Sequence, residues 1–220
     1  FDRLMQRLVL RPMKLDACFN WSGCSPSAVR RAVVLYRASG EVAKDDLGGR
    51  QPDCLVVPSE SGDCDLSRYR PGENGALFSP QGGLRISMNG LARIGQVMAK
   101  GGEGLISPAS YKSLTRSFWR FDGSNGLGED GSASGFFCTY ALAVQMIEIP
   151  LRNCRDGLFA DRQLRLGHSG DAYGLKAGLW WNPRSRSGLV YFTSAVSPDD
   201  RGRRSAFSGA EERLVDRLRH

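Results

Sequence analysis

The run Leu166-Gly167-His168-Ser169-Gly170-Asp171-Ala172-Tyr173-Gly174-Leu175-Lys176 sets an imidazole, a hydroxyl, a carboxylate and an ammonium group within a few residues of one another. A hydroxyl next to an imidazole is the pair that nucleophilic acyl transfer needs, because the ring can take the proton as the oxygen attacks. Read as a nucleophile elbow, Gly-x-Ser-x-Gly, the run would place Ser169 on a tight strand-to-helix turn. The pattern fails at its last position, where Asp171 stands in place of glycine. The residues after Asp171 alternate like a strand, and the only later histidine, His220, ends the chain. Read plainly, His168-Ser169 is a polar turn leading into a strand.

The elements around this run set what it can reach. Alternating apolar positions predict a strand carrying Tyr140, Leu142, Val144 and Met146 on one side, and two more at about Gly174–Trp181 and Gly188–Ala195. The short turn Asn182–Ser187 between the last two predicts antiparallel pairing. Upstream, helical spacing predicts a helix from Asp2 to about Met13, with Leu4, Leu8, Met5 and Val9 on its packing face and Pro12 near its end. A second helix is expected after the N-cap Ser87, carrying Leu91, Ile94, Gly95 and Met98 and stopping at Gly101. A third comes after Ser107-Pro108, with Tyr111, Leu114 and Phe118 on one face, and a last begins at about Ser208 with Ala210, Leu214, Val215 and Leu218. Helices in a block, then antiparallel strands, then a helix give an α+β class, an antiparallel sheet flanked by helices. The organisation expected is a single partial domain, 1–220, with a disulfide-tied loop excursion at 16–80.

Several stretches together resemble the penicillin-recognising serine hydrolases of the class C β-lactamase type. His168-Ser169-Gly170 is similar to their third motif, a Lys or His followed by Ser/Thr-Gly on a strand lining the active site. The run Ser79-Pro80-Gln81-Gly82-Gly83-Leu84-Arg85-Ile86-Ser87, with Leu91-Ala92-Arg93-Ile94-Gly95-Gln96 after it, resembles the approach to a family helix. Phe1-Asp2-Arg3-Leu4-Met5-Gln6 and Val9-Leu10-Arg11-Pro12-Met13-Lys14-Leu15-Asp16 resemble the helix and turn that come after the family's second motif. The resemblance implies the C-terminal portion of a β-lactamase/DD-peptidase-like fold. It implies that His168 shapes the hydrogen bonding of the site, that Ser169 and Tyr173 contact substrate, and that Gly170 leaves room for it. The backbone N–H of Asp171 would supply half of the oxyanion hole, where fixed dipoles meet charge that develops only in the tetrahedral state.

The first two motifs of that family are missing. No serine has a lysine three residues on, the imitations being Ser27-Ala-Val-Arg30, Ser113-Leu-Thr-Arg116 and Ser117-Phe-Trp-Arg120. Arginine stays protonated at neutral pH and cannot serve as the base. No tyrosine is followed by Asn two residues on, and Ser87-Met88-Asn89 reads as an N-cap. The nucleophile and its activating lysine are therefore expected in an N-terminal portion outside these residues, and the chain alone is expected to be inactive. The substrate would be a D-amino-acid peptide, a β-lactam or a simple ester. The alternatives are a non-catalytic binding or regulatory module that retains the fold, and a split enzyme completed by a separate N-terminal polypeptide.

The net charge of +7 is spread among acidic residues along the chain, with only Arg201-Gly202-Arg203-Arg204 clustered, so no nucleic-acid partner is expected. No apolar run reaches the roughly 20 residues of a membrane-spanning helix, so no transmembrane segment is expected. Six cysteines without a Cys-x-x-Cys pair argue against zinc, and no metal or other cofactor is expected. An even set, with Cys18/Cys24, Cys54/Cys64 and Cys138/Cys154 as local neighbours, suggests disulfides and a periplasmic or secreted setting. Trp180-Trp181 and Phe136-Phe137 are expected in the core, with cleft lining as the rival reading, and Phe19–Gly23 could contribute to a rim.

Overall fold

A computed structural model describes residues 1–56, 64, 80–125, 135–149 and 151–218. The chain has helices and antiparallel sheets, an α+β class, and divides into two compact units, Phe1–Val34 with Asp45–Leu91 and Leu35–Lys44 with Ala92–His220. Parts of the expected excursion at 16–80 (57–63 and 65–79) lie outside the described residues, as do Ser79, much of the Gly123–Gly135 loop and His220.

The first unit is built on the opening helix. α1 (Asp2–Met5) passes directly into a π-helical segment, Gln6–Leu10, in which Arg11 N–H reaches back to Gln6 O at 3.0 Å and Leu15 N–H to Leu10 O at 2.8 Å. The wider turn rotates the side chains away from a 3.6-residue stripe. It buries Leu10 against Ala17 and Phe19 with Met5 and Val9 beside it, while Leu4 and Leu8, expected on the packing face, are exposed. β1 (Cys18–Phe19) pairs with β4 (Leu84–Arg85), and disulfides join Cys18 to Cys24 and Cys54 to Cys64. Trp21, in the segment that could contribute to a rim, is buried. Its indole N–H donates to Asp45 Oδ1 at 3.1 Å, and the Arg85 guanidinium lies over its ring while pairing with Asp45. In this unit α2 (Pro26–Arg30) is capped by Ser25.

The second unit is a six-stranded antiparallel sheet in the order β10-β9-β8-β7-β6-β5, with β5 Trp119–Arg120, β6 Thr139–Tyr140, β7 Gln145–Ile147, β8 Arg165–Ala172, β9 Leu175–Asn182 and β10 Ser187–Thr193. α3 (Met88–Ala99) and α4 (Pro108–Thr115) supply Met98, Ala99, Tyr111 and Leu114 to one apolar cluster with Met146, Leu166 and Trp181. α5 (Gly209–Arg217) supplies Val215 to another, with Ile147, Trp180, Tyr191 and Phe207. Alternation along β8 and β9 is what feeds both clusters: Leu166 pairs with Trp181 and faces one, while Trp180, opposite Gly167, faces the other. Both tryptophans are core, and Phe136 packs against the second cluster.

The helix starts are as expected. Ser87 Oγ accepts the Gly90 N–H at 3.1 Å, Ser107 caps α4 with Pro108 in its first turn, and Ser208 forms a reciprocal capping box with Glu211. One expected strand is two. β6 and β7 fold back on each other at Leu142-Ala143, with the Ala141 N–H bonded to Val144 O at 2.8 Å and Ala143 at φ 55°. Leu142 consequently projects outward, where a single strand would have put it beside Tyr140 and Val144. The third disulfide joins Cys138 to Cys154, and the three together fit an oxidising, extracytoplasmic setting. No helix among the described residues is long and apolar enough to cross a membrane.

Candidate functional site

β8 is paired unequally along its length. β9 runs beside it from Leu166 to Ala172, but β7 meets it only at Arg165, Leu166 and Gly167. Beyond Gly167, no described strand adjoins that second side of β8. The residues with chemistry in them, His168 to Asp171, all lie on this open half.

The turn that closes β8 and β9 fixes which backbone groups face the opening. Ala172 pairs with Leu175 across the two-residue loop Tyr173-Gly174, whose φ values of 58° and 82° are those of a type I′ turn. The pair flanking such a turn is hydrogen-bonded, and hydrogen-bonded and non-hydrogen-bonded pairs then alternate up the ladder. Gly170 and His168 thus bond to β9, while Asp171 and Ser169 fall on the pairs whose N–H and C=O point away from it. The outward Ser169 carbonyl oxygen is met by Nδ1 of His168 at 2.5 Å.

The side chains are tied in two small networks. A carbonyl can only accept, so Nδ1 of His168 carries the proton. Nε2 meets the hydroxyl of Tyr140, whose ring stands edge-on to the imidazole at 5.7 Å between centroids. Burial raises the Tyr140 pKa above its ordinary value, which keeps that hydroxyl protonated. In the second network the buried Gln145 donates from Nε2 to Phe136 O at 3.1 Å, which turns its Oε1 toward the Ser169 hydroxyl at 3.3 Å.

This arrangement removes the elbow reading of Ser169. The residue lies within an extended strand, and successive strand residues point to opposite faces, so His168 and Ser169 diverge. The group that accepts from the hydroxyl is an amide oxygen, which is no base. Among the described residues, no base meets the Ser169 hydroxyl to activate it for attack.

Gly170 and Gly167 differ in why they are glycines. A Cβ at Gly167 would stand 1.9 Å from Leu179 O, so the close approach of β9 demands glycine. At Gly170 the nearest neighbour would be the Ala177 Cβ at 3.4 Å, an ordinary contact. The protein's own packing leaves space there. The Asp171 carboxylate, largely exposed, is paired with Lys176 across the ladder. Tyr173, exposed at the tip of the hairpin, lies near the Lys44 ammonium at 5.7 Å from its centroid and the Arg37 guanidinium at 6.0 Å. These cations come from the hairpin of β2 (Leu35–Tyr36) and β3 (Val42–Lys44).

The chain matches no protein-family model and no curated protein. The structure brings His168, Ser169, Gly170 and Asp171 to one sheet margin and places Tyr173 at the end of it. Sequence reading missed Tyr140, which it treated as an apolar-face position, along with Gln145 and Lys176. Gln145 did leave a signal, as a lone amide inside Val144–Ile147. Cys138, Cys154 and Asp156 also bring potential metal ligands close together, but the two sulfurs are joined in a disulfide and offer no thiolate.

Proposed function

We propose that this chain is the C-terminal part of an acyl-serine hydrolase of the β-lactamase/DD-peptidase/esterase type and provides the substrate-facing strand of its cleft. The observation that carries the reading is the outward direction of the Ser169 and Asp171 N–H groups on the unpaired half of β8. A substrate lying along such an edge gains backbone hydrogen bonds as an added strand would. Where its carbonyl sits against Asp171, that N–H becomes a fixed donor to the developing oxyanion, worth about 3 kcal/mol of transition-state stabilisation for a single well-aimed donor. Gly170 keeps the face clear, and the Ser169 hydroxyl has lone pairs free to accept from the ligand. His168, held by Tyr140 and the Ser169 carbonyl, sets the hydrogen bonding at the entrance. Nucleophile and base come from outside residues 1–220, because no Ser-x-x-Lys or Tyr-x-Asn stands within them.

The test is labelling with a fluorescent penicillin and a fluorophosphonate. Residues 1–220 alone should remain unlabelled, while the longer polypeptide the proposal requires should be labelled at a serine N-terminal to Phe1. In that polypeptide Ser169→Ala should lower kcat/KM about 10-fold or more without preventing labelling. Labelling of Ser169 in the isolated chain would overturn the reading. So would an upstream coding sequence without Ser-x-x-Lys in frame.

A further inference from the structure

On the α5 side of the sheet lies a cleft of about 280 Å³ that the proposed catalytic strand does not use. Its wall carries Arg155, Lys176 and Arg201 together with the hydroxyl of Ser197. We propose that this cleft binds a small oxyanion-bearing ligand, a phosphate or a carboxylate, through Arg155 and Arg201.

The charge count favours an anion. Among the cations, Lys176 is neutralised by Asp171, and the acidic residue in the wall, Asp200, is engaged by Arg213 and by the N–H of Ala210. Arg155 and Arg201 have no carboxylate partner among the described residues, which leaves two arginines without a counter-charge in the lining of one cleft. Guanidinium offers a planar fork of donors matched to phosphate and carboxylate oxygens. Ser197 Oγ accepts from the Asp199 N–H at 3.2 Å, so its own hydrogen is available to a ligand.

The wall is also held in place before any ligand arrives. Arg155 is bonded through its N–H to Gly135 O at 2.9 Å, through its carbonyl to Ala206 N–H at 2.6 Å, and through Nη2 to Ser205 O at 3.1 Å. The segment carrying Arg201 is closed by a bridge to Ser208 and by Asp200, whose backbone oxygen and carboxylate accept the N–H groups of Gly209 and Ala210. Behind it, Glu212 gathers the N–H groups of Arg203, Arg204 and Ser205 and the Ser205 hydroxyl. The Arg155 fork and the backbone that carries Arg201 are thus in place beforehand, which lowers the entropy lost on binding. The same Asp200 contacts satisfy the start of α5, so the helix terminus is not the attraction; the two arginines are.

The experiment titrates inorganic phosphate and, separately, succinate into the folded chain at low ionic strength, following binding calorimetrically. Wild type should show saturable binding of at least one, and the tighter of the two identifies the oxyanion class. Arg155→Ala and Arg201→Ala should each weaken that binding about 10-fold or more. Arg184→Ala, which removes the same charge from the exposed β9–β10 turn, should change it less than 2-fold. Circular dichroism on each variant guards against misfolding, and Arg201→Lys, which keeps the charge and loses the fork, should retain only part of the affinity. Lack of saturable binding to either anion, or an equal loss in Arg184→Ala, would overturn the proposal.

Discussion

The two halves of β8 share a strand, a partner and a twist, yet they are occupied by different kinds of residue. From Arg165 to Gly167 the strand has neighbours on both sides, Leu166 is buried, and glycine is required because Leu179 O leaves no room for a side chain. From His168 to Ala172 one side has no described strand beside it, polar groups crowd the backbone, and the glycine present is not demanded by packing. Where pairing is complete, residue choice answers to the fold. Where it is not, residue choice is free to answer to a ligand.

Glycine substitutions break this contrast most sharply. Gly167→Ala should cost ~3 kcal/mol or more, because backbone and not a flexible side chain must give way, whereas Gly170→Ala should cost less than about 1 kcal/mol. Urea denaturation of the pair reads the difference directly. A comparable loss at both positions would mean that the open half is as tightly packed as the closed one.

The second unit offers another test in its buried carboxyls. Burial first, and the neighbouring Glu148 second, push the Asp156 pKa up to about 7, and burial raises Glu148 as well. A raised folded-state pKa favours the protonated form, so this stability is fully present below the unfolded value near 4 and is lost as pH rises to about 7. Asp156→Asn, which mimics the neutral acid, should flatten that loss and stabilise the chain at pH 8, by up to ~4 kcal/mol from the size of the shift. Thermal melts of both proteins from pH 4 to pH 8 check it. Equal pH profiles would show that Asp156 is not buried as described.

Smaller effects are expected at sites away from pairing. Ser208→Ala removes the capping hydrogen bonds of α5 and should cost about 1 kcal/mol, without altering either half of β8. On the open half, Asp171→Asn breaks an ion pair whose carboxylate is well exposed and should change stability by less than about 1 kcal/mol. Chemical denaturation ranks the two, and a larger cost at Asp171 would mean that its carboxylate is a structural anchor.

How much of this could be read from residues alone depended on how local the cause was. Ser87, Ser107 and Ser208 were legible as helix starts because a cap needs only its own next three residues. The β9–β10 hairpin was legible for the same reason, as alternation on either side of a turn-rich link. The opening segment was misjudged because a π-helical turn breaks the 3.6 period without a sequence mark. The β6–β7 reversal was hidden because Leu142-Ala143 carries none of the usual turn residues. Of the candidate site, His168 to Asp171 stood out as a polar run, but its open edge is set by where β7 stops. Tyr140 joins it only because the hairpin brings β6 to within reach of β8, a contact 28 residues distant in sequence.

The central claim is that Ser169 and Asp171 present unpaired N–H groups along an open margin, and amide hydrogen exchange resolved by residue tests it most directly. The account predicts slow exchange at His168, Gly170 and Ala172 and exchange roughly 100-fold or more faster at Ser169 and Asp171, in alternation along one strand. Protection of Ser169 and Asp171 equal to that of Gly170 would contradict it, because the edge proposed to receive substrate would already be covered.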